Sequence, residues 1–164
     1  MKIEHLEDRV NEYTTSIEAV VVKKELWDPQ VKDMLRATLK KVIDRYDIGW
    51  RIQELDWLYN NDAINITFEA FPNALLSKTD QCPRYNFIPG GALVFTQSYN
   101  GDIYVFITFP QAENMTNGNN PKDLGFYHPK DITEKLIFEK VDEFLKEMTN
   151  WELPAVKNKV GFQS

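Results

Sequence analysis

The residues with the clearest potential for chemistry are a histidine, a cysteine and three carboxylates. His128 precedes a predicted helix and lies three residues before Asp131, a position that suits a general base or a metal ligand. Cys82 precedes a proline in a predicted loop, and a thiol beside the imidazole of His128 would form a nucleophile with its base. No local motif supports that pair, so a bystander thiol and an ordinary loop-to-helix junction are the preferred interpretations.

The three carboxylates lie in predicted strands, where Glu54 and Asp56 share one side and Glu69 follows on the next strand. Paired carboxylates support glycoside hydrolysis or the binding of a divalent cation. No acidic motif flanks them, so the solvated side of a strand is the preferred interpretation. The sequence contains no G-x-S-x-G, H-E-x-x-H, dinucleotide-binding, EF-hand or phosphate-loop pattern. We therefore expect no cofactor and no metal, and we favour a non-catalytic function over an enzymatic one.

The composition indicates one globular domain. The chain has 164 residues, 43% of them hydrophobic, and we predict a domain over residues 1–151 followed by an extended tail over 152–164. Its 19 Lys and Arg against 25 Asp and Glu give a charge of -6, and the basic residues do not cluster, which disfavours nucleic acid and anionic membranes as partners. The first residues are charged where a signal peptide is apolar, so we expect a cytoplasmic protein without membrane association.

Apolar residues near the N-terminus recur at three- and four-residue spacing, which predicts one face of a helix. These residues are Ile3, Leu6, Val10, Tyr13, Ile17 and Val20, followed by Lys24. A β-branched run leaves a strand over residues 17–25 as the alternative, although one long helix is preferred. A second helix is predicted to begin at Asp28 and Pro29 and to close at Gly49, and together the two form an N-terminal helical pair.

A last helix is predicted from the D-x-x-E pattern of Asp131 and Glu134, a variant of the capping box. Between the helices, two hairpins are predicted. The first turns at Asn60 and Asn61, which places Leu55 opposite Ile66. It thus has an apolar side and a polar side, the latter carrying Glu54, Asp56, Asn65 and Thr67.

The second hairpin turns at Asn100-Gly101, and a two-residue turn at that point places Phe95 directly opposite Phe106. Both sides of this hairpin are then apolar, and one is aromatic. The aromatic side carries Phe95, Tyr99, Tyr104 and Phe106. The predicted fold is therefore α+β, with the N-terminal helical pair, a four-stranded antiparallel sheet built from two hairpins in the order 3-4-1-2, and a C-terminal helix. The helices pack on a single layer of sheet.

An aromatic side chain left in water forgoes on the order of 2 kcal/mol relative to burial, so the aromatic side needs a cover. The protein's own helices, a second subunit or a ligand would each provide one. Our first hypothesis is a small acidic interaction module that binds a protein partner or its own copy through this side. One version of this hypothesis is a protein that inhibits its partner, as an immunity protein or an antitoxin does. The alternative is a small-molecule binder or enzyme with a pocket between the sheet and the Asn-rich 110–130 loop, near Tyr99, Tyr104 and His128.

Overall fold

A computed structural model of the chain describes residues 1–57, 61–70, 72, 88, 90–111 and 120–152. Its helices are α1 (Glu7–Glu25), α2 (Asp33–Arg45) and α3 (Glu134–Glu152), and its strands are β1 (Trp50–Trp57), β2 (Asn61–Phe68), β3 (Ala92–Gln97), β4 (Ile103–Thr108) and β5 (Lys122–Tyr127). These elements confirm the α+β class, with an N-terminal helix, an antiparallel sheet and a C-terminal helix. Within the described ranges, none of the helices combines the length and apolar character that a membrane span requires.

The sheet has five strands rather than the predicted four, and its order is β1-β2-β3-β4-β5 rather than 3-4-1-2. The fifth strand, Lys122–Tyr127, lies in the segment that the sequence predicted to be a polar loop. Its pairing with β4 is irregular next to Gly125, which has a φ of 105°, so the strand lacks a regular alternating pattern. β4 is an interior strand, as it also is in the predicted order 3-4-1-2, because β5 pairs with the edge of β4 opposite to β3.

The β3–β4 loop is one residue longer than predicted. The backbone N–H of Ser98 donates to the carbonyl of Asp102 at 2.8 Å, which closes a three-residue loop. Gly101 ends that loop with a φ of 88°, the left-handed conformation expected in a three-residue hairpin connection. The loop shifts the pairing so that Phe95 lies opposite Val105. A one-residue shift turns the side chains of one strand to the other face, so the prediction that Phe95 and Phe106 share a face is wrong.

The first hairpin also differs from its prediction. Leu55 lies opposite Ala63 rather than Ile66, because the paired ends of β1 and β2 are separated by the three positions 58–60 and not by the two predicted positions 60–61. The shift is odd, so Leu55 lies on the face away from Ile66 while Glu54 lies on the same face as Ile66. The predicted turn residue Asn60 lies outside the described residues.

The hydrophobic core lies between one face of the sheet and helices α2 and α3. α2 contributes Leu35, Leu39 and Val42, α3 contributes Ile137, Val141, Phe144 and Met148, and the sheet contributes Ile64, Ile66, Leu93, Phe95, Ile103, Val105 and Ile107. The buried residues of α2 and α3 thus recur at three- and four-residue spacing, as in helices with one apolar face. Met34 of α2 and Tyr46, which directly follows α2, are exposed.

The starts of α2 and α3 differ from their predictions. A π-helical turn over Trp27–Lys32 joins α1 to α2 without a side-chain cap, so Asp28 does not begin a separate helix. α2 ends at Arg45, before Gly49, although Gly49 does have a positive φ of 85°. At α3, the hydroxyl of Thr133 accepts from the N–H of Leu136 at 3.2 Å, so the residue that caps this helix is Thr133 and not Asp131.

α1 is helical throughout residues 17–25, which confirms the preferred interpretation of that segment. It does not join the core, since every residue from Met1 to Ala19 is exposed. Its last turns contact the β3–β4 loop, where the Lys23 ammonium pairs with the Asp102 carboxylate at 2.9 Å. The helix is thus attached at its C-terminal end and projects over about 25 Å. The predicted domain limit at residue 151 stays a prediction, because residues 153–164 lie outside the described residues.

Candidate functional site

The predicted binding residues occupy several separate places. Phe95 is fully buried in the core, and Tyr99 is 81% exposed in the hairpin loop. Tyr104 and Phe106 lie on the opposite face of the sheet from Phe95, which we call the outer face. His128 directly precedes the turn before α3. No single surface therefore unites these five side chains, and any binding role for each of them stays a prediction.

On the outer face, three aromatic rings form a stack across β4 and β5. The rings of Tyr104 and Phe106 lie 5.0 Å apart, and those of Tyr104 and Phe126 lie 4.5 Å apart. Burial raises the pKa of the Tyr104 hydroxyl, and the nearby charge of Asp123 raises it further. Phe126 is exposed and was missed by sequence reasoning, because its strand was assigned to a loop. The two aromatic residues of the sequence GFY, at positions 125–127, are the signal from which this strand could have been predicted.

His128 has a structural role. Its Nδ1 accepts from the backbone N–H of Lys130 at 3.1 Å, which caps the 3-10 turn Pro129–Asp131. This bond occupies one of the two ring nitrogens that a base or metal ligand would use. Cys82, its suggested partner, lies outside the described residues. In the part of the chain that the structure describes, no three His, Cys, Asp or Glu side chains gather in a way that would hold a metal ion.

Two of the three carboxylates that the sequence suggested as a site, Glu54 and Glu69, also lie apart. Glu54 lies on the core side of β1 and accepts from Arg36 of α2 at 2.7 Å. Glu69 pairs with Arg51 at 3.1 Å on the outer face. Each carboxylate thus has its own cationic partner, and the two lie on opposite faces of the sheet. The side chain of Asp56 lies outside the described residues.

The outer face contains a trough of about 640 Å³. Small side chains of β2 and β3 form its floor, and larger side chains of β1 and β4 flank them. The lining comprises Arg51, Gln53, Leu55, Ala63, Asn65, Thr67, Phe68, Glu69, Gly90, Ala92, Val94, Thr96, Phe106 and Thr108. Asn65 is 5% exposed, and its side-chain Oδ1 has no hydrogen-bond partner. Sequence reasoning placed Asn65 on a polar side but did not identify the trough.

The second surface is the apolar stripe of α1 and the 3-10 turn Ile3–Leu6 that precedes it. We define this α1 stripe by Ile3, Leu6, Val10, Tyr13, Ile17 and Val20. The first five are 46–79% exposed, whereas Val20 is half-buried beside the hairpin loop. The sequence predicted this stripe, but not that it would remain uncovered.

Comparison of the chain with protein-family models, with curated proteins and with solved structures finds no match. The assignment of function therefore rests on the two surfaces just described. The α1 stripe offers apolar side chains on a projecting helix, which is typical of a protein contact. The trough offers a concave surface with one unpaired polar atom, which is typical of a small-molecule site.

Proposed function

We propose that this chain is a non-catalytic protein-interaction module that associates with a second copy of itself through the α1 stripe. The observation that carries the proposal is the exposure of five consecutive members of that stripe. A helix of this length is only marginally stable in water when it packs against nothing. Covering its apolar face would stabilise both the helix and the assembly, at roughly 25 cal/mol for each Å² removed from water.

The spacing of the stripe favours a second copy over an unrelated partner. Its members alternate three- and four-residue steps, which is the seven-residue repeat of a coiled coil. The first positions of the repeat hold Ile3, Val10 and Ile17, which are all β-branched, and the second apolar positions hold Leu6, Tyr13 and Val20. β-Branched residues at the first position favour a parallel pair of helices when leucine occupies the second, and Leu6 meets that condition in the first repeat.

The flanking charges fit the same arrangement. In a parallel coiled coil, one residue lies directly before the first apolar position of each repeat. It lies near the residue that directly follows the second apolar position on the neighbouring helix. Within α1, this geometry places Arg9 near Thr14 of the second copy, so like charges do not meet there. Arg9 already pairs with Glu12 of its own helix at 2.8 Å.

The α1 stripe replaces the aromatic side of the second hairpin as the proposed contact. Phe95 belongs to the core, and Tyr99 lies apart in the hairpin loop, so the surface predicted from the sequence does not exist as a unit. The proposal retains the self-associating, non-catalytic module and changes the residues that make the contact.

Sedimentation equilibrium of the full chain over a range of concentrations tests the proposal. We expect a mass approaching twice 19.2 kDa at high concentration. Ile17→Asp should lower the association constant at least a hundredfold, because it inserts a charge into the apolar contact. Thr15→Asp is the matched control, since it adds the same charge to an exposed position on the opposite side of the helix.

The proposal fails if the unmodified chain keeps the mass of a monomer at every concentration. It also fails if Ile17→Asp and Thr15→Asp associate equally well. Circular dichroism of both variants verifies that the core remains folded, since neither position contributes to it.

A further inference from the structure

We infer that the outer-face trough is a binding site for a flat, uncharged and mainly apolar small molecule that donates a hydrogen bond to the Oδ1 of Asn65. This site is distinct from the α1 stripe, and the inference does not depend on self-association. It rests on three observations, which are the shape of the trough, the unpaired amide oxygen in its floor and the balance of charge at its rim.

The trough owes its shape to the order of side-chain sizes across the sheet. One row of neighbouring positions runs from Gln53 through Asn65 and Val94 to Phe106. The adjacent positions in the floor, Ala63 and Ala92, have small side chains that leave space above the two central strands. The resulting volume of about 640 Å³ lies within the range of small-molecule pockets.

Asn65, in the floor of the trough, has a side-chain oxygen without a hydrogen-bond partner. Thr67 donates to the carbonyl of Gly91 at 2.8 Å, and Thr96 donates to the carbonyl of Asp62 at 3.1 Å. The Asn65 Oδ1, by contrast, accepts from no donor although its residue is nineteen-twentieths buried. A buried acceptor without a partner destabilises a folded protein, so such an atom beside an open cavity indicates a ligand that supplies the donor.

The charges at the rim indicate the charge of the ligand. Arg51 and Glu69 both line the trough, and they pair with each other at 3.1 Å. Among the lining residues that the structure describes, this pairing leaves little net charge to attract an ion. The remaining lining is mostly apolar, and the ring of Phe106 offers an aromatic surface for a flat molecule. The site therefore suits a neutral aromatic compound with a single N–H or O–H group.

Indole is a suitable probe because it is flat, uncharged and has one N–H donor. N-Methylindole is its matched control, since it has nearly the same shape but no donor. We expect indole to shift the amide resonances of Ala92 and Val94, and the side-chain amide of Asn65, in proton–nitrogen correlation spectra of the full chain. We expect N-methylindole to bind about tenfold more weakly, as the loss of one hydrogen bond implies.

Two variants assign the effect to the trough. Asn65→Val removes the acceptor and keeps a side chain suited to a strand, so it should abolish the difference between the two probes. Ala92→Phe fills the floor of the trough and should abolish binding of both probes. The second variant keeps the inference testable if Asn65→Val does not fold.

The inference is overturned if millimolar indole leaves the outer-face resonances unchanged. It is overturned equally if indole and N-methylindole bind with the same affinity, because Asn65 would then have no role. Outer-face shifts that appear on raising the protein concentration without a probe would assign the trough to a second copy of the chain, and would overturn it as well.

Discussion

Phe95 and Phe106 point to opposite faces of the sheet, although they lie on paired strands of one hairpin. Phe95 is fully enclosed in the core beneath α2 and α3. Phe106 instead packs against the small outer-face cluster that contains Ala92 and Val94. The three-residue loop closed by Ser98 sets this difference, and it leaves the outer face with space above its central strands.

The first prediction concerns the two sides of the sheet. Phe95→Ala should lower the free energy of unfolding by about 3–5 kcal/mol, because it opens a cavity in a closed core. Phe126→Ala removes the same ring from a position that is 59% exposed, and it should cost about 1 kcal/mol, the value of its aromatic stacking. Urea denaturation of both variants measures the difference. Equal losses would contradict the assignment of Phe95 to the core.

The second prediction concerns the attachment of α1. Gly101→Ala places a side chain at a φ of 88°, and the added Cβ would lie 2.5 Å from the Cβ of Lys23. The backbone strain alone costs about 1–2 kcal/mol, and the contact adds to it. Lys23→Ala keeps that Cβ and removes only the ion pair with Asp102, so it should destabilise the protein less. Thermal unfolding compares the two, and a Gly101→Ala protein as stable as the original would contradict this contact.

The third prediction concerns Tyr104. Burial, and then the charge of Asp123, raise its pKa above the ordinary 10.0 because both disfavour the phenolate. The phenol in the folded state holds its proton to a higher pH than in the unfolded state, so the stability it provides is complete below pH 10 and is lost as the pH rises through the raised pKa. Asp123→Asn should lower this pKa without restoring it fully.

The ultraviolet difference spectrum of the phenolate measures this titration. The protein has seven tyrosines, so the curve of Tyr104→Phe is subtracted to isolate the one transition. A transition of Tyr104 at or below its ordinary pKa would contradict the burial of its hydroxyl. A pKa that Asp123→Asn leaves unchanged would show that the carboxylate does not act on it.

The helical part of the fold was predictable because helices carry their pattern locally. The stripes of α2 and α3 repeat every three to four residues, and residues such as Leu39 and Phe144 are buried as that repeat predicts. The faces of the hairpins were not predictable, since they depend on loop length. Asn100-Gly101 indicates a hairpin turn, but a two-residue and a three-residue loop both use a glycine with positive φ. The one-residue difference in loop length determined that Phe95 and Phe106 lie on opposite faces of the sheet.

The candidate sites were predictable to different degrees. The α1 stripe was visible in the spacing from Ile3 to Val20, whereas its exposure depends on where α2 and α3 pack, which a local pattern does not determine. The trough depends on the pairing of β2 with β3, which joins residues about 30 positions apart such as Asn65 and Val94. Small residues such as Ala63 have no interpretable pattern until that pairing is known.

The most direct test of the proposed function is disulfide trapping of the full chain at Val10. A parallel pair of α1 helices places each Val10 opposite its own copy, at a Cα separation within the range of about 4.4–6.8 Å that a disulfide spans. In a Cys82→Ser background, Val10→Cys should form a covalent dimer under mild oxidation, while Thr15→Cys on the opposite side of the helix should remain monomeric. Failure of Val10→Cys to cross-link, or equal cross-linking of the two variants, would contradict association through the α1 stripe.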